Sequence, residues 1–561
     1  MKTQRSRGIA LALSLLLFSA TLFAQSRPQV RGVPHRPKLI VLIIIDQFPQ
    51  DYLFRFKSFF GIGGFRRFLD EGAVFTNCFY SYAQTLTAPG HATLATGAVP
   101  AAHGIIGNEW FDRGSGEIVS SVTDRSRRLV GTTGRGVSPQ AIIGTTFADQ
   151  LRLSTNFRSK VVGLSLKDRG AILPAGKSGN LALWFDSRSG QFITSDYYVQ
   201  ELPPWVTQFN AAKPADKYFG ARWEKGFPAA VYAQADADDR PYEGVSPGGT
   251  RTFPHVITGG LSSPGPAFYD ALTATPFAND LLVDLALAAI KNEHLGEDDD
   301  PDLLIISFSA NDIAGHTYGP FSQEVADLTL RTDQTLARLF SSLDRRFGPG
   351  GYIAALSADH GVSPIPEFAA AHKLGGRRIA PAAVIEAVQQ HLRARFGDEK
   401  WIDPRAEFLV AAGMIYLNRE AISKRNLDPA AVERAAAEAA KTVPGVAASF
   451  TRTDLLAGHY RHDRLGALVA NGFHPERSGD VIIVTEPLAI FWRQSAGTTH
   501  GSPHTYDTHV PLLLFGTRIK PGTYTTPCTP ADLAPTLAAL LEIEVPSNVT
   551  GRVLHEALRE R

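Results

Sequence analysis

The chain has 561 residues, of which 44% are hydrophobic and only 20% are charged. This composition supplies the apolar material for a large core and excludes an intrinsically disordered protein. The formal net charge of +1 does not favour a nucleic acid or an anionic membrane surface as a partner. The two cysteines, Cys78 and Cys528, fit either one disulfide in an exported protein or two buried free thiols.

The N-terminus has the pattern of a secretory signal peptide. Three basic residues within the first seven precede an apolar run from Ile9 to Phe23, and Ala24 follows it. The run is short for a membrane span, although a short N-terminal anchor has the same pattern. We therefore predict a cleaved signal at residues 1–24, a periplasmic or secreted protein, and no stable membrane insertion.

Five strongly apolar runs predict strands that are buried on both faces, as in a parallel sheet covered by helices. They are Leu39–Ile45, Val161–Ser165, Leu303–Ser307, Tyr352–Leu356 and Val510–Phe515. Helical patterns lie between and after them, at Leu281–Lys291, Gln323–Leu343 and Pro530–Leu541. This alternation predicts an α/β fold with a doubly wound, mostly parallel central sheet flanked by helices.

Two stretches interrupt the alternation. Residues 174–270 are rich in Pro, Gly and aromatic residues without clear periodicity, and we interpret them as a long insertion or cap. Residues 375–480 indicate a small α+β insertion with helices near Pro381–Phe396 and Pro429–Thr442. Residues 25–561 are still predicted to form one domain, because the candidate site residues are drawn from nearly the whole chain.

Polar residues lie next to several of the predicted strands, and in open α/β sheets the carboxyl edge binds ligands. They are Asp46 after the first run, Asp312 and His316 after the third, Asp359 and His360 after the fourth, and His500 before the fifth. Zinc binds imidazole and carboxylate oxygen, usually with about four ligands per ion. Three aspartates and three histidines therefore suit two zinc ions with three protein ligands each. Each residue alone fits a helix cap, a turn or a structural histidine, so the prediction rests on their coincidence.

Residues 84–97 predict a short helix that begins near Thr87, with a proline near its start and a glycine at its end. A helix N-terminus favours an anion, and a hydroxyl held there beside zinc ionises near neutral pH. Thr87 is therefore a candidate nucleophile and metal ligand, although the local sequence by itself favours a simple N-cap. His91 and His103 in and after this helix are interpreted as structural histidines.

Seven motifs occur in order along the chain: LIIID, TLTAPGHATLATG, HGIIGN, SLKDRGA, ANDIAGH, SADHG and THGSPHTYDTHVPLLLFG. As a set, over about residues 38–550, they resemble the alkaline phosphatase superfamily in the branch of the nucleotide pyrophosphatases/phosphodiesterases. Within that branch the chain is most similar to the monomeric, phosphate-irrepressible bacterial alkaline phosphatases that use Thr instead of Ser. The resemblance implies an alkaline phosphatase-like fold, two zinc ions per chain, and hydrolysis of phosphate monoesters through a phosphothreonine intermediate.

Residue by residue, the resemblance also implies roles for the candidate positions. The ligands of the zinc that activates the leaving-group oxygen are matched by Asp312, His316 and His500. The ligands of the zinc that holds the nucleophile are matched by Asp46, Asp359 and His360, together with Thr87 itself. Asn108 matches an Asn that hydrogen-bonds a phosphate oxygen. His504 and His509 lie in the same segment as His500, and His500 is preferred because it aligns as the His-Gly of related enzymes.

Lys167 and Arg169 match a Lys and an Arg that are peculiar to the monoesterase group. Three aspartates and a Thr87 alkoxide cancel the charge of two zinc ions, so two further cations suit a monoester dianion. A diester has one negative charge and a second bulky group, so the pair disfavours the alternative of a phosphodiesterase or nucleotide pyrophosphatase. A non-catalytic, zinc-stabilised binding protein is a third hypothesis, which the complete ligand set disfavours. We predict a monomer acting on small phosphate monoesters, without a nucleic-acid partner.

Overall fold

The computed structural model describes residues 36–559, apart from Pro247 and Arg461. The predicted signal peptide at residues 1–24 lies outside the described residues. In the part of the chain that is described, no single helix is long and apolar enough to span a membrane. The helices Pro266–Thr273 and Pro276–Asn292, which are bent relative to each other, reach that length and hydropathy only when they are taken as one pair.

The described strands are numbered in chain order. They are β1 (Leu39–Ile45), β2 (Ala73–Phe75), β3 (Glu109–Asp112), β4 (Glu117–Ser120), β5 (Thr123–Val130), β6 (Arg135–Val137), β7 (Val161–Ser165), β8 (Leu181–Asp186), β9 (Gln191–Ser195), β10 (Arg222–Trp223), β11 (His255–Val256), β12 (Asp302–Phe308), β13 (Tyr352–Ser357), β14 (Arg377–Ile379), β15 (Met414–Ile415), β16 (Val446–Thr451), β17 (Val481–Thr485), β18 (Ala489–Phe491), β19 (Leu512–Gly516) and β20 (Gly522–Tyr524).

The described α-helices are numbered in the same way. They are α1 (Asp51–Arg55), α2 (Phe65–Glu71), α3 (Thr87–Thr96), α4 (Pro100–His103), α5 (Phe147–Ser154), α6 (Asp168–Ala175), α7 (Pro204–Ala211), α8 (Ala229–Tyr232), α9 (Pro266–Thr273), α10 (Pro276–Asn292), α11 (Ala310–Tyr318), α12 (Gln323–Phe347), α13 (Pro366–Ala371), α14 (Pro381–Phe396), α15 (Arg419–Lys424), α16 (Pro429–Ala440), α17 (Arg452–Ala457), α18 (Arg464–Gly472), α19 (Thr505–Thr508) and α20 (Leu533–Leu541). Short 3-10 turns occur at Lys57–Phe59, Asp216–Tyr218, Glu407–Ala412, Pro530–Asp532 and His555–Ala557.

Eleven of the described strands form one central sheet in the order β20-β2-β19-β13-β1-β12-β7-β8-β9-β5-β6. Its centre, from β13 to β8, is parallel and confirms the predicted α/β fold. Its flanks turn antiparallel, because β19 pairs antiparallel with β13 and β9 pairs antiparallel with β8. The sheet is therefore mixed: parallel in its middle, antiparallel on both sides of it, and parallel again at the edge pair β2 and β20. Strand direction could not be predicted for β19, whose apolar sequence resembles that of the parallel strands.

Helices cover both faces of this sheet, as the doubly wound prediction requires. Leu39, Val41 and Ile43 of β1 belong to one hydrophobic cluster, which includes residues of α10 and α12. Ile40 and Ile44 belong to a second cluster, which includes residues of α3 and α20. The alternation follows from the two-residue period of a strand. Burial on both faces explains why the central strands are continuous apolar runs.

The register of the central strands determines where the candidate ligands meet. In β1, Ile44 lies opposite Ser357 of β13, and Ile45 lies opposite Phe308 of β12. These three parallel strands therefore end at the same level of the sheet. Directly beyond their carboxyl ends the chain supplies four of the candidate ligands: Asp46, Asp312, Asp359 and His360.

The two stretches interpreted as insertions differ in their relation to the sheet. The stretch at about 174–270 contributes β8 and β9 to the central sheet, which corrects its interpretation as an insertion for residues 181–195. Its aromatic residues Trp184, Phe185 and Phe192 are buried core residues, not cap residues. The stretch at about 375–480 includes α14, α16 and strands of a separate sheet in the order β15-β17-β16, which share their own hydrophobic cluster.

Cys78 and Cys528 are partners in an isolated parallel β-bridge, and both are free thiols. Burial, with the Cys528 thiol beside it, raises the pKa of the Cys78 thiol well above its usual value. A thiol with a raised pKa is a poor nucleophile at neutral pH. Cys78 is therefore a packing residue in this structure.

Candidate active site

Helix α3 begins at Thr87, as the sequence predicts, and it ends before Gly97, which has a left-handed φ of 67°. The N-cap position belongs to Leu86, and Thr87 is the first helical residue. The interpretation of Thr87 as a simple N-cap is therefore wrong. The backbone N–H of Ala88 donates to Asn108 Oδ1 at 2.8 Å. Asn108 thus caps the helix end that carries Thr87, and the Thr87 side chain does not.

Asp312 and His316 lie one turn apart on α11, so their side chains share one face of the helix. His316 Nε2 is 3.2 Å from Asp312 Oδ1, and His500 Nε2 is 3.6 Å from the same oxygen. The donor atoms of these three residues lie within 4.8 Å of one another, as a metal group requires. His504 and His509 instead place Nε2 at 2.9 and 3.0 Å from backbone carbonyl oxygens.

The other predicted ligands lie beside this first group. His360 Nε2 is 3.4 Å from Asp46 Oδ1 and 3.5 Å from Asp359 Oδ2. The second set of donor atoms within 4.8 Å of one another joins Asp46 and His360 with Asp312. Asp312 therefore borders both groups, which makes the two candidate metal positions immediate neighbours. We call the first set the Asp312–His316–His500 group, and we call the predicted ligands beside it the Asp46–Asp359–His360 group, in which Asp359 is placed by its distance to His360.

Each of the three histidines presents Nε2 to the carboxylates in the same way. Its Nδ1 bonds a backbone carbonyl: His316 to Thr498 at 2.8 Å, His500 to Thr85 at 2.8 Å, and His360 to Gly361 at 2.9 Å. A carbonyl only accepts, so Nδ1 carries a proton, and Nε2 is the nitrogen whose lone pair binds a metal when the ring is neutral. This second bond is the usual way in which proteins orient a metal-binding imidazole.

Three of the predicted donor atoms are buried without a hydrogen-bond partner among the described residues. They are Asp46 Oδ1, Asp359 Oδ2 and His360 Nε2. A buried polar atom without a partner is destabilising, and buried carboxylates in proteins are normally paired or bound to a metal. Three carboxylates with three imidazoles are a donor set that suits zinc and other divalent ions. The residues present therefore fit a metal centre.

Electrostatics favour the metal-binding form for two of these ligands, His500 and Asp312. Burial, together with His360 and His316, lowers the pKa of His500 well below its usual value and keeps the ring neutral. Burial raises the pKa of Asp312, but His316 and Lys167 outweigh it, and the net pKa lies well below the usual value. A carboxylate and a neutral imidazole are the forms in which these side chains bind metals. Burial lowers the pKa of His316 and of His360, but neighbouring carboxylates outweigh burial and raise both, that of His360 to about 9, so metal binding has to release the proton of His360.

Lys167 and Arg169 follow β7, the strand next to β12, and so reach the same edge of the sheet. Lys167 Nζ lies 2.6 Å from Asp46 Oδ2 and 2.5 Å from Asp312 Oδ2, which places its charge between the two groups. Arg169 makes a long ion pair of 3.7 Å with Asp168, and its buried Nε has no partner among the described residues. Its planar set of donors therefore remains available for a ligand.

Two contacts of the site were not predicted from the sequence. His91 lies outside both metal groups, but its Nδ1 is 2.9 Å from the carbonyl oxygen of Thr87 and 3.2 Å from Asp359 Oδ2. The four-residue spacing from Thr87 to His91 is the signal that indicates this contact. Gln47 donates from Nε2 to Asp312 Oδ1 at 2.7 Å. A single glutamine after an aspartate carries no comparable signal.

Comparison with known proteins gives the same assignment over nearly the whole chain. The model of the family "Type I phosphodiesterase / nucleotide pyrophosphatase" matches residues 40–509. Alkaline phosphatase PhoV of Synechococcus elongatus is 37% identical over 527 residues, which cover 93% of each chain. Alkaline phosphatase PafA of Elizabethkingia meningoseptica is 36% identical over 553 residues, which cover 97% of this chain and 98% of PafA.

A solved structure agrees with these relatives. The crystal structure of wild-type PafA superposes with a TM-score of 0.87 at 35% identity, and the match covers 93% of this chain and 99% of that one. The relatives and the superposition agree with the family resemblance of the motifs and with the observed fold. The chain belongs to the type I phosphodiesterase / nucleotide pyrophosphatase family of the alkaline phosphatase superfamily, in the branch of the alkaline phosphatases PafA and PhoV.

Proposed function

We propose that this alkaline phosphatase hydrolyses phosphate monoesters in two steps, with Thr87 as the group that first accepts the phosphoryl group. One observation carries the proposal: the segment around Thr87 contacts a ligand of each metal group. The carbonyl of Thr85 bonds His500 at 2.8 Å, and His91 lies 3.2 Å from Asp359. These contacts hold the helix that begins at Thr87 against both groups, which supports Thr87 as the residue that accepts the phosphoryl group.

Two zinc ions, held by the Asp312–His316–His500 and Asp46–Asp359–His360 groups, would supply the positive charge that ionises a hydroxyl and stabilises a departing oxygen. In the first step Thr87 Oγ1 forms a bond to phosphorus while the bond from phosphorus to the ester oxygen breaks. The Thr87 hydroxyl gives its proton to water and the alcohol leaves with a proton from water, so the step transfers the phosphoryl group without a net change in protons. In the second step water attacks the phosphothreonine, the bond to Oγ1 breaks, and inorganic phosphate is released with Thr87 restored.

The substrate-binding roles follow from the donors that the contacts leave free. Asn108 uses Oδ1 to accept from Ala88, so its Nδ2 hydrogens are left for a phosphate oxygen. Lys167 and Arg169 add two positive charges at the same edge of the sheet. A monoester dianion benefits from both charges, whereas a diester has only one negative charge. These two charges therefore favour a monoesterase over a phosphodiesterase on the same fold.

The proposed cellular setting is the periplasm or the exterior of the cell, where the protein acts as a monomer. The basic start and the apolar run from Ile9 to Phe23 support a signal that is cleaved after residue 24. The intact mass of the exported protein tests this proposal. A mass that still includes residues 1–24 would contradict cleavage.

The nucleophile is tested by Thr87→Ala, measured together with the zinc content of the variant. We expect turnover of an aryl phosphate to fall on the order of 10³-fold or more, since the group that accepts phosphorus is removed. Zinc should still bind, because six ligands remain. Thr96→Ala is the matched control, since Thr96 is a buried threonine at the other end of α3 whose hydroxyl donates to Ala92. Wild-type turnover in Thr87→Ala would contradict the assignment.

A further inference from the structure

Gln47 directly follows Asp46 and is fully buried at the end of β1. Its backbone has a left-handed φ of 59°, a conformation in which glycine or asparagine is far more common. A long side chain is therefore kept at a position whose backbone favours a small residue. Strain of this kind persists when the surrounding contacts hold it in place.

The left-handed turn directs two donors of Gln47 toward different ligands. Its side-chain Nε2 donates to Asp312 Oδ1 at 2.7 Å, and its backbone N–H donates to Asp359 Oδ1 at 3.1 Å. The same Asp312 oxygen lies close to His316 and His500. One residue therefore orients a carboxylate of each metal group. A third bond, from Asn311 Nδ2 to the Gln47 carbonyl at 2.6 Å, ties this turn to α11.

The space for the Gln47 side chain depends on Gly315, which precedes the ligand His316 in α11. A Cβ atom at position 315 would lie 1.9 Å from Gln47 Oε1. Glycine within a helix is unfavourable compared with alanine, so its presence here fits the need for this space. Gly315 and Gln47 thus form one packing unit between β1 and α11.

We propose that Gln47 is a positioning residue that orients Asp312 and Asp359 and thereby sets the affinity of the site for zinc. This role rests on the proposed function, because it assumes that the two groups hold metal. Hydrogen bonds to metal-binding carboxylates typically change metal affinity by about 10–100-fold when they are removed. Gln47 contacts neither the Thr87 hydroxyl nor Lys167 or Arg169 through any hydrogen bond that the structure shows, so its effect is exerted through the ligands.

The test uses Gln47→Gly, which removes the side chain, suits the left-handed backbone and keeps the N–H that reaches Asp359. Zinc per chain is measured after dialysis against a graded series of chelator concentrations, with thermal unfolding as a check on folding. We expect the variant to lose zinc at a chelator concentration about 10–100-fold lower than wild type. Gln50→Ala is the matched control, because Gln50 is a buried glutamine three residues further along the chain whose side chain has no partner among the described residues. It should retain zinc like wild type.

A second variant, Gly315→Ala, displaces the Gln47 amide without altering residue 47, and alanine favours the helix. We expect it to lose zinc as Gln47→Gly does. Zinc retention equal to wild type in both variants would overturn the role of Gln47, even if wild type holds two ions. If wild type itself held no zinc, the proposed function would fail first and the role of Gln47 with it.

Discussion

The surroundings of Lys167 bear most directly on the charge of the substrate. Its ammonium group lies between Asp46 and Asp312, and only 13% of its side chain is exposed. Burial lowers the pKa of Lys167, but Asp312 and Asp46 outweigh it and raise the pKa above the usual value, so the group is charged at neutral pH. If metal ions neutralise these two carboxylates, the positive charge of Lys167 is left to attract a phosphate anion.

The double variant Lys167→Ala with Arg169→Ala tests the preference for monoesters. We expect kcat/KM for an aryl phosphate to fall by about 10²–10³-fold, because two cations that face the dianion are lost. For an aryl phosphodiester we expect a loss below about tenfold. Rates for the two substrates on the same preparation make the comparison. Equal losses would show that the pair does not discriminate between them.

At the scale of elements, the position of α3 depends on its contact with the end of β13. Gly90 lies so close to the backbone after β13 that a Cβ atom would be 2.2 Å from the Asp359 carbonyl oxygen. The contact is with backbone, which cannot move aside as a flexible side chain does. Glycine at position 90 therefore allows the helix that carries Thr87 to lie directly against the strand end that carries Asp359 and His360.

Gly90→Ala is expected to lower the free energy of unfolding by about 1–3 kcal/mol, the usual range for overpacking. Turnover should fall as well, because the helix and Asp359 must separate. Denaturant unfolding and turnover on an aryl phosphate measure the two effects. Gly350→Ala is the control, since a Cβ atom there would have nothing within 4 Å. Unchanged stability and turnover in Gly90→Ala would contradict this account of the packing.

Some of the strands could be predicted from the sequence, and others could not. Buried parallel strands are continuous apolar runs, so β1 and β7 were predicted with their observed bounds. The antiparallel direction of β19 was not predicted, because direction is set by the connection and not by composition. β9 was missed, and residues 181–195 were assigned to an insertion, because aromatic residues next to Gly and Pro resemble a loop. The polar residues at strand ends carried a usable signal, whereas Gln47 acts through a backbone turn that no single residue type indicates.

At the scale of the whole molecule, the candidate site is assembled from positions that span residues 46 to 500. Parallel strands in register bring Asp46, Asp312 and Asp359 to one edge, and the loop before α19 adds His500. The site therefore exists only when the whole sheet is folded. Thr87 is the one candidate in it whose proposed role is covalent, and that role would define the reaction.

The most direct measurement of that role is acid quenching during turnover of a phosphate monoester, followed by peptide mapping by mass spectrometry. We expect one added phosphoryl group on the peptide that contains residues 84–97. It should be located on Thr87 and should be lost again when the substrate is exhausted. The same treatment of Thr87→Ala should give no phosphorylated peptide. A phosphoryl group on another residue would contradict this role of Thr87. So would the absence of a phosphoryl group on Thr87 under conditions in which the phosphothreonine forms faster than it is hydrolysed.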